Sequence, residues 1–492
     1  ADKAAVSKSW NTILVGGLGG GGKGYYALNV TDPSDFGTET TAQNIVLWEF
    51  TDADDTYPED STGTPIGGSA GATTDLLGQP VKDLGYTYSQ PQIAMTNVDD
   101  GATQKKWAAI FGNGYNSTAG IATLFIANVD GGLNGWSGGD VVKLTTDRGV
   151  KATPDPLAGL PNGLGTPAVV DKNFDGTADL VYAGDLFGNL YRFDISDPDP
   201  ANWTTTRLFQ ATYDETLATR QPITVQPFVF RHPTETGVII VFGTGSYITE
   251  GDATSTDIQS VYAIWDRFEI NPATAASDAK STRLVKQTVT NIVDETSGFP
   301  RQRIVSAQPV DYAPDTAGVD GVYGWYFDLD MTRADTTVQG NPNTDATGQA
   351  APLPQFPGER AIRRIVPRGD SLLLTTVVPR AANTCLRSPP GAIMPVDMLT
   401  GGNPKRPIID LNNDGVLDAN DLHSIGGVMY AGGILFGAED LDGTLVDPSI
   451  LLGSGDDDFL FLSGGDDQLT MRIAGALTLK TGRLSWRQID IF

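Results

Sequence analysis

Short apolar runs, closed by glycine or by Asp and Asn, recur along the whole chain and predict many short strands in place of long helices. One hexamer returns in variant form. It reads Tyr25-Tyr-Ala-Leu-Asn-Val30, Leu124-Phe-Ile-Ala-Asn-Val129, Leu190-Tyr-Arg-Phe-Asp-Ile195 and Val261-Tyr-Ala-Ile-Trp-Asp266. It continues as Trp325-Tyr-Phe-Asp-Leu-Asp330, a degenerate Ile393-Met-Pro-Val-Asp-Met398 and a seventh candidate, Leu484-Ser-Trp-Arg-Gln-Ile489. Between the copies lie further strand signals: Ile13-Leu-Val15, Trp107-Ala-Ala-Ile-Phe111, Val238-Ile-Ile-Val-Phe242 and Leu372-Leu-Leu-Thr-Thr376. Several run into glycine turns, at Gly16-Gly17, Gly112-Asn-Gly114 and Gly243-Thr-Gly245.

The hexamers stand roughly 65–70 residues apart in the middle of the chain and farther apart at its ends, a spacing that suits propeller blades carrying insertions. About seven blades would fit 492 residues as a single domain, 1–492. Two β-sandwiches are the rival architecture, but sandwiches do not repeat one hexamer six or seven times. Insertions are expected at 51–90, 268–320 and 331–357, which are rich in Thr, Asp, Ala and Pro, and no linker divides the chain.

Composition sharpens this picture. The chain is 40% hydrophobic, with 58 Gly and 30 Pro to supply turns. No apolar run reaches the roughly 20 residues that span a bilayer. The N-terminus has no charged region followed by an apolar stretch, so it is not a signal peptide: either a signal has been removed or, the favoured reading, this is the downstream part of a longer protein. Cys385 is the single cysteine and settles nothing about redox compartment. A net charge of −27 argues against nucleic acid and anionic membranes as partners, and it suits an extracellular setting where calcium offsets carboxylate repulsion.

Two Asx-rich loops carry candidate chemistry. Calcium takes six to eight oxygens, and a tight loop supplies them from alternating positions. In Asp171-Lys-Asn-Phe-Asp-Gly-Thr-Ala-Asp179, residues Asp171, Asn173, Asp175 and Asp179 fill positions 1, 3, 5 and 9. Gly176 permits the reversal at position 6, and Thr177 would offer its carbonyl at position 7. Position 12 is Tyr182, so the bidentate acid of a helix-flanked EF-hand is missing and the loop runs straight into a strand. The second loop places Asp410, Asn412, Asp414 and Asp418 at the same four positions, the carbonyl of Val416 at position 7 and Asp421 at position 12. Aspartate there is a shorter arm than the usual glutamate. In each case the alternative is an Asx turn without an ion. A third acidic stretch, Gly455-Asp-Asp-Asp458 with Gly464-Gly-Asp-Asp467, reads as solvated hairpin turns.

Around the first loop, Asp171-Lys-Asn-Phe-Asp-Gly-Thr-Ala-Asp-Leu-Val-Tyr-Ala-Gly-Asp-Leu-Phe-Gly-Asn-Leu-Tyr-Arg-Phe-Asp194 closely resembles the signature of the PilY/PilC family of type IV pilus biogenesis and tip-adhesin proteins. Leu14-Val-Gly-Gly-Leu-Gly, Tyr26-Ala-Leu-Asn-Val-Thr-Asp-Pro33, Phe111-Gly-Asn-Gly-Tyr-Asn-Ser117, Phe242-Gly-Thr-Gly-Ser-Tyr247 and Gln259-Ser-Val-Tyr-Ala-Ile-Trp-Asp266 are similar to the same family. Gly358-Glu-Arg360 and Ser485-Trp-Arg487 extend the likeness over nearly the whole chain. The resemblance implies an all-β, modified seven-bladed, quinoprotein-like propeller with inserted loops. It also implies a place at the pilus tip and outer bacterial surface, reached through the periplasm. Pilus components, minor pilins among them, and host or abiotic surfaces are the implied partners. Calcium at the matching loop would govern pilus extension against retraction, and through it twitching motility, attachment and virulence. Its implied ligands are Asp171, Asn173, Asp175, the Thr177 carbonyl and Asp179. The Asp410 loop lies outside that signature.

The enzymatic rival is a quinone-dependent dehydrogenase, which often carries a vicinal cysteine pair that this chain lacks. His232 and His423 are the two histidines, and both read as ordinary loop residues. Gly19-Gly-Gly-Gly22-Lys23 fails the phosphate-loop spacing because Gly24 follows the lysine, so a hairpin turn is expected. Arg368-Gly-Asp-Ser371 matches an integrin-type cell-attachment tripeptide, but it joins two strand-like runs and a hairpin turn is the favoured reading.

Overall fold

The computed structural model describes residues 11–37, 45–55, 82–99, 105–137, 139–149, 160–268, 279–292, 302–314, 321–330, 356–379, 391–404, 406–425, 427–436, 449–451, 457–464 and 467–474. Cys385, the hexamer at 484–489, Ser485-Trp-Arg487 and nearly all of the 331–357 insertion lie outside the described residues. The chain forms two compact units, 1–186 with 190–207, and 187–189 with 208–492.

In the first unit, Ile13–Gly17, Gly24–Asn29 and Val46–Thr51 form a three-stranded antiparallel sheet. Gln92–Asp99, Lys105–Gly112, Ile121–Asn128 and Val141–Gly149 form a four-stranded meander. This meander explains why the hexamer is apolar throughout and not alternating. Ala109, Phe111, Phe125 and Ala127 face a core shared with Tyr25, Trp48 and Phe50. Ala108, Ile110, Leu124 and Ile126 face the opposite core, with Leu164, Val181 and Phe193. Both faces are covered, so both sets of alternating positions must be apolar. Each large side chain so buried contributes about 1.5–3 kcal/mol. Ala168–Val170, Leu180–Gly184, Asn189–Asp194 and Thr204–Gln210 make the next four-stranded sheet.

The second unit contains a five-stranded sheet in the order Phe228–Arg231, Val238–Gly243, Ser260–Asp266, Gly324–Asp328 and Leu284–Lys286, the last strand parallel to its neighbour. A six-stranded sheet follows: Val289–Ile292, Gln302–Val305, Gly433–Phe436, Gly391–Asp397, Ser371–Thr375 and Val366–Arg368. Trp265, Trp325, Phe327, Leu372, Met394 and Val396 lie in one core. Two smaller sheets complete this unit: Leu422–Ile425 with Val428–Ala431, and Ser449–Leu451, Asp457–Gly464 and Asp467–Ala474.

These sheets correct two expectations about the repeat. The hexamers at 261 and 325 do not head separate blades, because they pair directly within one sheet, Tyr262 opposite Tyr326. The segment 268–320 is not wholly an insertion, since it supplies three strands, Leu284–Lys286, Val289–Ile292 and Gln302–Val305, to the two large sheets. Among the described residues the sheets range from two to six strands, so blade-like repetition is uneven.

The glycine turns have a shared cause. A Cβ on Gly112 would stand 2.2 Å from the carbonyl oxygen of Gly165, and one on Gly243 would stand 2.1 Å from that of Ala361. The residue ending each strand must let a neighbouring backbone pass, which only glycine permits. The Gly19–Lys23 segment links the first two strands, as a hairpin turn should. Gly369-Asp370 is likewise the turn of a hairpin in which Arg368 pairs with Ser371 and is buried.

Candidate metal centre

The Asp171 loop connects the antiparallel strands Ala168–Val170 and Leu180–Gly184, with Val170 opposite Leu180 at its neck. Its carboxylates organise the backbone. Asp171 accepts from the N–H of Phe174 through Oδ1 (2.6 Å) and of Gly176 through Oδ2 (2.8 Å). Asn173 Oδ1 accepts from the Asp175 N–H (2.9 Å), and Asp175 Oδ1 accepts from the Thr177 N–H (2.8 Å) and hydroxyl (2.6 Å). Phe174 and Gly176 adopt φ of 64° and 92°, so the chain reverses twice in six residues. Phe174 is 58% exposed.

Asp179 closes the loop. Its Oδ2 accepts from the N–H groups of Lys172 (2.8 Å) and Asn173 (3.3 Å), reaching back across the loop to positions 2 and 3. This explains how the loop dispenses with a twelfth-position acid: the ninth residue already sits at its mouth. Burial pushes the Asp179 carboxyl up, against its hydrogen bonds, and the nearby Asp175 charge adds to the rise. Asp175 is exposed and is held below the usual carboxylate range, first by the Thr177 hydroxyl and amide.

Asn97, on the strand Gln92–Asp99 of the neighbouring sheet, completes the arrangement. Its amide donates to Asp179 Oδ1 (3.1 Å) and to the Ala178 carbonyl (3.1 Å), while its Oδ1 lies 2.9 Å from the Thr177 hydroxyl and shares that group's one proton with Asp175 Oδ1. Ala178 N–H donates to the Met95 carbonyl (2.7 Å), which pins the same seam. Lys105 donates to the Asn97 carbonyl (2.7 Å) and pairs with Asp99 at 2.9 Å. Nothing in the sequence links Asn97 to a loop some 80 residues later; strand pairing alone brings it there.

The Asp410 loop repeats this backbone. Gly415 N–H donates to Asp410 Oδ2 (3.0 Å), Asp414 N–H to Asn412 Oδ1 (3.0 Å) and Val416 N–H to Asp414 Oδ1 (2.8 Å). Asn413 and Gly415 have φ of 55° and 85°, matching positions 4 and 6 of the first loop. Here Asp421, and not the ninth residue, accepts from positions 2 and 3, Leu411 (2.8 Å) and Asn412 (3.3 Å). Burial pushes the Asp421 carboxyl up, and the like charge of Asp410 adds to it. Asp418 is drawn away to cap the single helical turn Ala419–Asp421, accepting from the N–H of Asn420 (2.7 Å).

Among the described residues, no group of three or more His, Cys, Asp or Glu is placed to hold a metal by itself. Either loop would need amide and main-chain carbonyl oxygens besides its carboxylates. An all-oxygen donor set of that kind suits calcium, not zinc or copper. The first loop offers donors of that kind: Asp171, Asp175, Asp179 and the Asn173 amide oxygen lie on one tight loop, and burial raises the Asp179 carboxyl, so a cation beside it would offset the cost of its charge. The histidines offer no competing centre. His232 stacks on Trp265 (5.0 Å between centroids) and meets Tyr312 edge-on (4.9 Å), with Nδ1 accepting from the Glu235 N–H. His423 is buried in the strand Leu422–Ile425.

Antiparallel sheets, one of them covered on both faces, with an Asx loop between two strands, define an all-β domain carrying a candidate ion-binding loop. The family model of the PilY1 beta-propeller domain matches residues 2–299, and the chain belongs to this family. It is 32% identical over 409 residues to a type IV pilus biogenesis factor PilY1 homolog of Xylella fastidiosa, covering 81% of this chain and 22% of that protein. To the type IV pilus biogenesis factor PilY1 of Pseudomonas aeruginosa strain PAO1 it is 31% identical over 441 residues, covering 85% of this chain and 31% of that protein. The chain thus spans about a fifth to a third of the length of these relatives. The crystal structure of the Pseudomonas aeruginosa PilY1 C-terminal domain superposes with a TM-score of 0.63 at 28% identity, over 94% of this chain and 80% of that one.

Proposed function

We propose that this chain is the calcium-binding, non-enzymatic propeller of a type IV pilus biogenesis factor and tip adhesin at the outer bacterial surface. Occupancy of the Asp171–Asp179 loop sets the balance between pilus extension and retraction, and so twitching motility, attachment and virulence. Minor pilins and host or abiotic surfaces are its partners. The relatives' names support the pilus setting. The observation that carries the ion site is Asp179, a buried carboxylate that ties the loop mouth to Asn97 of the next sheet. An ion there neutralises crowded charge and tightens a seam between sheets, which a pilus partner can read as a change in surface order and charge.

The test has two arms. Calorimetric titration of the chain with calcium is expected to lose one binding equivalent in Asp179→Ala. In bacteria carrying the full-length gene, the same substitution is expected to abolish the calcium dependence of twitching zones. Identical isotherms would sink the ion site, and unchanged calcium-dependent twitching would sink the regulatory role.

A further inference from the structure

We infer that the Asp410–Asp421 loop is a second calcium site, with Asp421 as its closing acid and Asp418 outside it, and that the ion fixes the hairpin Leu422–Ile425 and Val428–Ala431. Two independent observations carry this. The first is the buried Asp410 carboxylate, 1% exposed, whose Oδ1 has no hydrogen-bond partner while its Oδ2 is held inside the loop by Gly415. A buried anionic oxygen without a donor is costly, and a cation in the loop supplies what it lacks. In the first loop the equivalent oxygen already accepts from the position-4 N–H, that of Phe174. The demand for a cation at Asp410 is therefore the sharper of the two.

The second observation is the position of Asp421. It takes the same two amides that Asp179 takes, those of positions 2 and 3, although it lies three residues farther along the chain. The helical turn Ala419–Asp421 brings it back, and Asp418 serves that turn as its N-cap, also accepting from Asn420 Nδ2 (3.1 Å). The ligands are then Asp410, Asn412, Asp414, the Val416 carbonyl and Asp421, a hard all-oxygen set. Asp421 directly precedes the hairpin, and at that same end Ala431, opposite Leu422, exchanges two 2.8 Å hydrogen bonds through its backbone with Asn403. The loop's other end is held by the Ile409–Ile473 bridge to the strand Asp467–Ala474.

Calorimetric titration of the whole chain with calcium tests it, beside hydrogen exchange at residues 422–431. Two equivalents are expected for the parent chain, one for Asp410→Asn and one for Asp421→Asn, and still two for Asp421→Glu and for Asp418→Ser, which keeps the cap of the helical turn and removes the charge. Calcium should slow exchange in the hairpin of the parent and of Asp179→Ala, but not of Asp410→Asn. Thermal melts in chelator confirm that each variant is folded; if the asparagine variants are not, the paired results of Asp418→Ser and Asp421→Glu decide. The inference is overturned if Asp418→Ser, folded and capped, loses the second equivalent, or if either Asp410→Asn or Asp421→Asn keeps it. A single equivalent in the parent, removed by Asp179→Ala, also overturns it and leaves the first site standing. An equivalent removed by Asp410→Asn but untouched by Asp179→Ala does the reverse.

Discussion

Single side chains hold the first loop in place, and the most informative is one that the sequence conceals. The alternation of Asp and Asn announced Asp171, Asn173, Asp175 and Asp179, because hard-ion ligands on one tight loop must be close in sequence. Asn97 could not be announced, since only sheet pairing brings it to Thr177 and Asp179. Asn97→Ala strips a buried carboxylate and a buried carbonyl of a donor, and is expected to cost about 1–3 kcal/mol in denaturant unfolding in chelator. It should also weaken calcium binding without abolishing it, as calorimetry would read. His232 makes a second residue-scale prediction. Burial holds its imidazole below the ordinary histidine range. The unfolded chain therefore takes up a proton first as pH falls, so this contribution is complete above about pH 6.5 and is lost on descent through the lowered value. The melting temperature of the parent should fall more between pH 7.5 and pH 5 than that of His232→Gln; parallel profiles would remove the residue from the account.

Strands were the most legible elements, and the reason is the double burial of the meander. Runs such as Leu124-Phe-Ile-Ala face two cores at once, which leaves continuous apolar sequence with no helical period. Which strand pairs with which was not legible. The hexamers at 261 and 325 look alike because both are doubly covered, not because each begins a blade. Glycine at strand ends was visible as a turn signal, whereas its closeness to a foreign carbonyl is a tertiary fact. Gly112→Ala and Gly243→Ala, each placing a methyl about 2 Å from backbone oxygen, are expected to lower the melting temperature by several degrees. An alanine at solvent-facing Gly37, where a Cβ meets nothing, is the control. Lys143 sits buried between Asp55 and Asp83, 3.1 Å from the latter. Lys143→Met leaves two carboxylates without their cation and should cost about 3–5 kcal/mol in chemical denaturation.

For the molecule as a whole, ligand linkage ties calcium to stability. An ion that binds only the folded chain raises its stability by about 2.7 kcal/mol at a hundredfold excess over Kd. The melting temperature should therefore climb with calcium and fall back with chelator, and Asp179→Ala should blunt the climb. No response in the parent would argue against ion binding at either loop. The all-β class and the family were legible across the chain, since turn and strand signals persist from end to end. The partition into two compact units was not, because no stretch of linker composition marks it: the boundary runs through continuous strand-rich sequence near residues 187–208.

The difference between the two closing acids has a bearing on how the sites would fill. One ring closes over nine residues, Asp171 to Asp179, and the other over twelve, Asp410 to Asp421. Loop-closure entropy separates rings of those sizes by only about 0.3 kcal/mol, less than a factor of two in affinity. Each ring also brings three carboxylates and one asparagine to its ion. Neither chain length nor charge ranks them, which leaves the orphaned Asp410 Oδ1 as the difference between them: on the proposed reading the second loop would fill at the lower calcium concentration and the first above it, a staged response and not one step.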